Sequence, residues 1–170
     1  MTSILKVSEI QDPTNSNTAL TIDSSGRVLM PQKPAFHLRW SANQSATATG
    51  YQRLNFDEEV FDIGSNVSGA VFTAPVSGVY QFNLSQRFDN IGTGFVIIGL
   101  SDDATTHTFS TLWYSTYRIL GTPPTNYFTL QSSITWQLTA GDVVAPWYLS
   151  QDASYILTSA GGHFSGFLVG

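Results

Sequence analysis

The sequence predicts an all-β protein, a sandwich of antiparallel strands, and three observations predict it. Val79 to Phe88 alternates, with Tyr80, Phe82 and Leu84 on one side and Gln81, Asn83 and Ser85 on the other. Phe128 to Leu138 repeats the pattern: Phe128, Leu130, Ile134, Trp136 and Leu138 share one face, while Thr129, Gln131, Ser133, Thr135 and Gln137 share the other. A period of two belongs to a strand with one buried face. The third observation is negative: helical spacing of apolar residues is not convincing anywhere, while turn residues punctuate the chain as a sandwich requires.

The elements follow in chain order. Residues 1–33 form an arm of their own kind. Ile4 to Ile10 alternates as a short strand, Asp12-Pro13-Thr14-Asn15 is a turn, and Thr18 to Ile22 is again strand-like. Asp23-Ser24-Ser25-Gly26 then reads as a hairpin turn into Arg27–Met30. Pro31 and Pro34 make a stiff connector into a head domain over 34–170. Two short strands bury too little apolar surface alone, so the arm must pack on its own head, on neighbouring copies or on a larger assembly. In the head, strands are expected at 35–40, 51–57, 69–72, 79–88, 94–101, 106–118, 127–138, 143–149, 155–158 and 163–169. Pro75 and Gly78 turn the chain after Phe72. Proline presets its own φ, and glycine is expected here for a φ that other residues resist.

Composition narrows the classes. Only 11% of residues are charged, and the net charge of −5 with scattered Lys and Arg argues against nucleic acid. A polar, weakly charged surface suits a protein that packs against copies of itself. Cysteine is absent, which removes disulfides, thiolate metal sites and thiol catalysis. The start, MTSILKVSEI, lacks the basic and long apolar regions of a secretory signal. The apolar run Phe95–Leu100 is too short to span a bilayer, so no membrane insertion is expected. The triplets at Asn43, Asn66 and Asn83 match glycosylation acceptors by chance if the chain is not secreted.

Several ordered motifs carry a resemblance. Phe72-Thr-Ala-Pro75-Val-Ser-Gly78-Val-Tyr80-Gln-Phe82 and the closing Phe164-Ser-Gly166-Phe167-Leu-Val169 resemble the signature of C1q-like domains, the jelly rolls related to tumour necrosis factor. Pro34-Ala-Phe36 resembles the family's first strand, Asn55-Phe-Asp-Glu-Glu59 its second, and Leu138-Thr-Ala-Gly141-Asp142-Val143 its late turn. The resemblance implies a C1q/TNF-like jelly roll over roughly 34–170 and packing of three copies about a three-fold axis. The chain has 4 Trp, 7 Tyr and 11 Phe, more rings than one sandwich of this size usually needs, and the surplus is expected at an interface. The segment Ile4-Leu-Lys-Val to Asp23-Ser-Ser-Gly-Arg-Val-Leu29 resembles the N-terminal segments of tail-fibre and other virion proteins of marine tailed bacteriophages.

Sites for chemistry are sparse. His37, His107 and His163 are the three histidines, and a structural role is expected for His37 and His163 beside their strands. No Gly-x-Ser-x-Gly elbow supports a serine nucleophile. Glu58 and Glu59 are adjacent on a strand and should face opposite ways. Asp102 and Asp103 lie in a loop, and Ca²⁺ is bound in some C1q-like relatives, but a hard cation wants six or more oxygens. No catalytic residue, cofactor or metal centre is expected, so the protein is not predicted to be an enzyme. For binding, Trp113, Tyr114, Tyr117 and Tyr127 flank the loop around Gly121-Thr-Pro-Pro124, where rings could stack on sugars of a host surface.

These residues and resemblances lead to a homotrimeric bacteriophage virion protein. It would be a knob or short fibre of the tail, anchored by residues 1–33 to other virion proteins and presenting the head to a host surface glycan or protein. The alternatives are a capsid-decorating protein stabilising the phage head and, weaker, a secreted C1q-like ligand without a stalk.

Overall fold

The computed structural model describes residues 5–91, 94–105, 113–119, 127–152 and 154–170, with backbone alone over 113–119. The arm contributes β1 (Glu9–Gln11), β2 (Thr18–Ile22) and β3 (Val28–Leu29), an antiparallel sheet in that order. Its second hairpin turns at Gly26, whose φ of 79° is the left-handed value a tight turn needs. Asp23 caps that turn, accepting the Ser25 and Arg27 N–H groups at 2.9 and 3.0 Å.

The head is a two-layered sandwich. Its strands are β4 (Ala35–Arg39), β5 (Gln44–Ala46), β6 (Gly50–Arg53), β7 (Glu58–Ile63), β8 (Val67–Ser68), β9 (Val71–Thr73), β10 (Gly78–Asp89), β11 (Phe95–Ser101), β12 (Trp113–Ile119), β13 (Tyr127–Leu138), β14 (Val143–Ser150) and β15 (Tyr155–Leu168). One sheet runs β13-β10-β15-β4-β7, with β5 also on β15. The other runs β12-β11-β14-β9-β8, with β6 also on β14. Every described pairing is antiparallel, so the all-β expectation holds.

The core lies between the sheets. Across the first sheet Phe36, Gly166, Phe82 and Ile134 stand side by side in register. Gly166 is needed for the space it leaves: a Cβ there would lie 2.5 Å from the Phe82 ring and 2.8 Å from Phe36. Through that gap Phe36, Phe72, Tyr80, Phe82 and Phe164 meet ring to ring at 4.8–6.3 Å. Offset and edge-on aromatic pairs add to the apolar area they bury. From the second sheet Val96, Ile98, Leu100, Val144 and Tyr148 close the core.

The turn after Phe72 is clamped to the late turn. Ala74 exchanges backbone bonds with Asp142 and Gly141, at 2.8 Å each, and Ser77 Oγ accepts the Ala140 N–H at 3.0 Å. Asp142 Oδ2 accepts the Thr139 N–H at 2.7 Å, and Gly141 has φ 94°. Gly78 corrects its expectation. It needs no unusual φ; its missing side chain makes room for Leu168, which a Cβ would meet at 2.7 Å. Pro75 lies exposed in the turn, and Phe72, Tyr80, Phe82 and Phe164 are all at most 1% exposed.

Other boundaries also shift. The expected strand at 51–57 ends at Arg53, because Leu54 and Phe56 reach the core from a connecting segment. The next strand begins at Glu58, not Asn55. The expected strands at 155–158 and 163–169 are one strand, β15, interrupted by a bulge. Ser85 faces His163 while Arg87 faces Thr158, so residues 159–162 are looped out around Gly161 (φ 97°). The arm's first strand is shorter than expected, and residues 5–8 are not in it. Residues 106–112 of the expected strand 106–118 lie outside the described residues.

Candidate functional site

The outer face of the first sheet has the composition of a contact surface. Its register sets three rows across five strands. Ile63, Ala35, Phe167, Gln81 and Thr135 form one, and Phe61, His37, Ser165, Asn83 and Ser133 the next. Glu58, Arg39, His163, Ser85 and Gln131 form the third. Within these rows the only charged side chains are Arg39 and Glu58, which pair at 2.5 Å. The centre is neutral and already knitted: Gln81 Nε2 donates to Ser133 Oγ (2.9 Å), Ser133 Oγ to Asn83 Oδ1 (2.8 Å) and Thr135 Oγ1 to Gln81 Oε1 (2.7 Å).

On this face large apolar groups stand in the open. Phe61, Ile63 and Phe167 are 45%, 36% and 46% exposed, and Ile63 and Phe167 flank Ala35 in one row. A cavity of about 330 Å³ opens elsewhere on this face, lined by Asn83, Ser85, Gln131, Ser133 and His163 among others. Two of the three histidines, His37 and His163, meet here. Their ring centres are 5.7 Å apart, and Phe61 lies edge-on to His37 at 6.1 Å. Burial, with His37 as the second cause, pushes the His163 imidazole below its ordinary value.

Below the face the arm meets the head. Lys33 Nζ donates to Val169 O at 3.0 Å, and the Leu168 N–H to Pro34 O at 2.9 Å. Met30, Pro34, Pro75, Val76, Leu168 and Val169 line a groove of about 480 Å³ there. The arm's own apolar residues remain open: Ile10, Ile22, Val28 and Leu29 are 40–58% exposed.

The aromatic residues proposed for glycan binding fall on two sheets. Trp113 and Tyr117 sit on β12 opposite Leu100 and Ile97, with Tyr114 between them, and their side chains are outside the described residues. Tyr127 begins β13, opposite Asp89 on the other sheet, and is 60% exposed. The Arg87 guanidinium stacks on its ring at 4.5 Å while bonding Asp89 at 2.8 Å. The loop at 121–124 and His107 lie outside the described residues. Asp102 is exposed, and the Asp103 carboxylate is engaged locally, accepting the Thr105 N–H and hydroxyl at 2.7 and 2.9 Å. Glu58 and Glu59 diverge as expected, opposite Arg39 and Leu38. Among the described residues no three His, Asp or Glu side chains gather in a metal-binding group. Tyr148 and Tyr155 carry their phenols into the core: burial pushes both upward, and their rings cross at 6.0 Å.

The sandwich matches solved jelly rolls. The globular domain of a zebrafish complement 1qA protein superposes with a TM-score of 0.59 at 20% identity, covering 81% of this chain and 98% of that one. Murine APRIL matches at 0.61 and 14% identity over 81% and 99%. The Eiger TNF of S. frugiperda matches at 0.61 and 13% over 81% and 94%. The fold is thus a C1q/TNF-like jelly roll. No protein-family model matches the chain, and no curated protein sequence does so either.

Proposed function

We propose that the chain is a homotrimeric structural protein of a bacteriophage virion, a knob or short-fibre component that presents its jelly roll to the host surface. The observation that carries the trimer is the outer face of the first sheet. Over its three rows it carries one internal ion pair and no other charged side chain, and it exposes Phe61, Ile63 and Phe167 around a neutral polar centre. Charge depletion with exposed rings characterises the centre of a protein interface. A face of this kind suits an identical face or edge of a second copy, because it offers no net charge to repel it. The jelly rolls that the motifs of this sequence resemble pack in threes.

The arm supports the virion assignment. Its sheet leaves apolar side chains uncovered, and three short strands do not hold alone in water. Its sequence resembles phage virion segments, so we assign it the role of anchoring the head to other virion proteins. Host contact would then fall to the parts of the head away from the arm, with Trp113, Tyr114, Tyr117 and Tyr127 as the receptor candidates.

Native mass spectrometry tests the assembly: a trimer is expected, and a clean monomer at micromolar concentration overturns it. Antibody labelling of purified virions tests the place. Labels at the tail tip are expected; labels spread over the head would make it a decoration protein, and unlabelled particles would remove the virion assignment.

A further inference from the structure

Two imidazoles at the centre of a face built for burial do more than fill space. His37 lies on β4 and His163 on β15, one register step apart, because His37 faces Ser165 and His163 faces Arg39. The bulge at 159–162 sets His163 in this position on the outer face. We propose that His37 and His163 form an acid-sensitive switch that separates the copies of this chain when the pair takes up protons. The inference rests on the self-association reading above.

The surroundings favour the neutral pair. Around His163, β4 supplies Arg39, directly opposite, and β10 and β13 supply Ser85 and Gln131, both neutral. On β7, Glu58 is paired with Arg39, Phe61 meets His37 with a ring edge, and Glu59 stands opposite Leu38, a core position. Asp62 on that strand accepts the Val67 N–H and stands opposite Phe36, on the other side of the sheet. Farther along β10, Arg87 and Asp89 satisfy each other. The single carboxylate in the three rows, Glu58, is already bonded to Arg39 and is not free to hold an imidazolium. A proton on His163 therefore gains no carboxylate partner in these rows, and a second on His37 adds a like charge one ring away.

A seated copy makes this worse. It removes water from the face, and desolvation raises the cost of the charged forms further. Each proton taken up on separation changes the association constant about tenfold per pH unit, so acid pulls the copies apart. The cavity beside His163, lined by Asn83, Ser85 and Gln131, leaves the ring open to protonation in the free chain.

Sedimentation velocity of the full chain at matched ionic strength, at about pH 8 and about pH 5.5, brackets the imidazole range. The expected result is a trimer at the higher pH and a monomer with unchanged far-ultraviolet circular dichroism at the lower. The double variant His37→Gln/His163→Gln should stay trimeric at both. His37→Gln alone, at a half-buried position, should reduce the steepness of the pH dependence. A wild-type trimer that persists at the acid pH overturns the switch alone. So does a double variant that dissociates in step with the wild type, or dissociation that coincides with unfolding. A chain that is monomeric at the higher pH overturns the self-association reading itself.

Discussion

Gly166 concentrates the packing problem of this fold into one missing methyl group. It sits between Phe36 and Phe82 in register, and both rings occupy the volume a side chain would need. Neither ring can yield, because each is at most 1% exposed and stacked on others. Gly166→Ala should therefore cost about 1–3 kcal/mol, the usual penalty of overpacking a dense core, as a lowered urea midpoint. His163 gives a second residue-scale expectation, of a different kind. Its folded-state value is held below the ordinary 6.5, by burial first and by His37 second. A base so displaced binds its proton more readily in the unfolded chain. The stability it contributes is whole above 6.5 and falls as the pH drops below it toward the folded-state value. The urea midpoint should thus begin to decline as the pH falls below about 6.5, above the range where carboxylates titrate, and His163→Gln should flatten that decline.

Among the elements, the two clamped turns decide how the sheets close. Gly141 holds φ 94° while its N–H bonds Ala74 O at 2.8 Å. Gly141→Ala keeps that bond only by straining the backbone, and should cost about 1–2 kcal/mol in the main melting transition. Gly26 has a similar φ of 79° but serves the arm, so Gly26→Ala should leave the head's transition where it was. What the sequence made legible follows from burial. β10 and β13 are wetted on one face and packed on the other, and their alternation is written plainly. β7 was misjudged because Val60, Phe61 and Ile63 are apolar yet open to solvent, while Leu54 and Phe56 mimic strand alternation from a segment that is not a strand. The short β5 and β8 carry too few residues to show any period. The polar outer face was legible residue by residue, in Gln81, Asn83, Ser133 and Thr135. The meeting of His37 with His163 was not, since it depends on pairing first and last strands of the head and on a four-residue bulge.

At the scale of the whole molecule, most of the described rings are consumed inside the sandwich, which narrows the surplus available to an interface. Of the described phenylalanines, Phe36, Phe56, Phe72, Phe82, Phe88, Phe128 and Phe164 are buried and Phe95 is half-buried on the other sheet, leaving Phe61 and Phe167 as the ones open on the outer face. If copies associate there, these two carry a disproportionate share of the affinity, as large rings at the centre of an interface do. Phe167→Asp separates folding from assembly. The side chain is 46% exposed in the single chain, so its loss should barely move the stability of the monomer. Placed among the neutral residues Ala35 and Gln81, however, the new carboxylate would have to be desolvated against a second copy. The wild-type melting temperature should rise with protein concentration, because assembly binds the native state and not the unfolded one. In the Phe167→Asp chain it should be independent of concentration, with association weakened more than about tenfold, the loss typical of a central interface residue. Calorimetry across a hundredfold range of concentration, about the span that mass action needs to show itself, distinguishes the two. A variant that still stabilises with concentration would move the contact surface elsewhere on the sandwich.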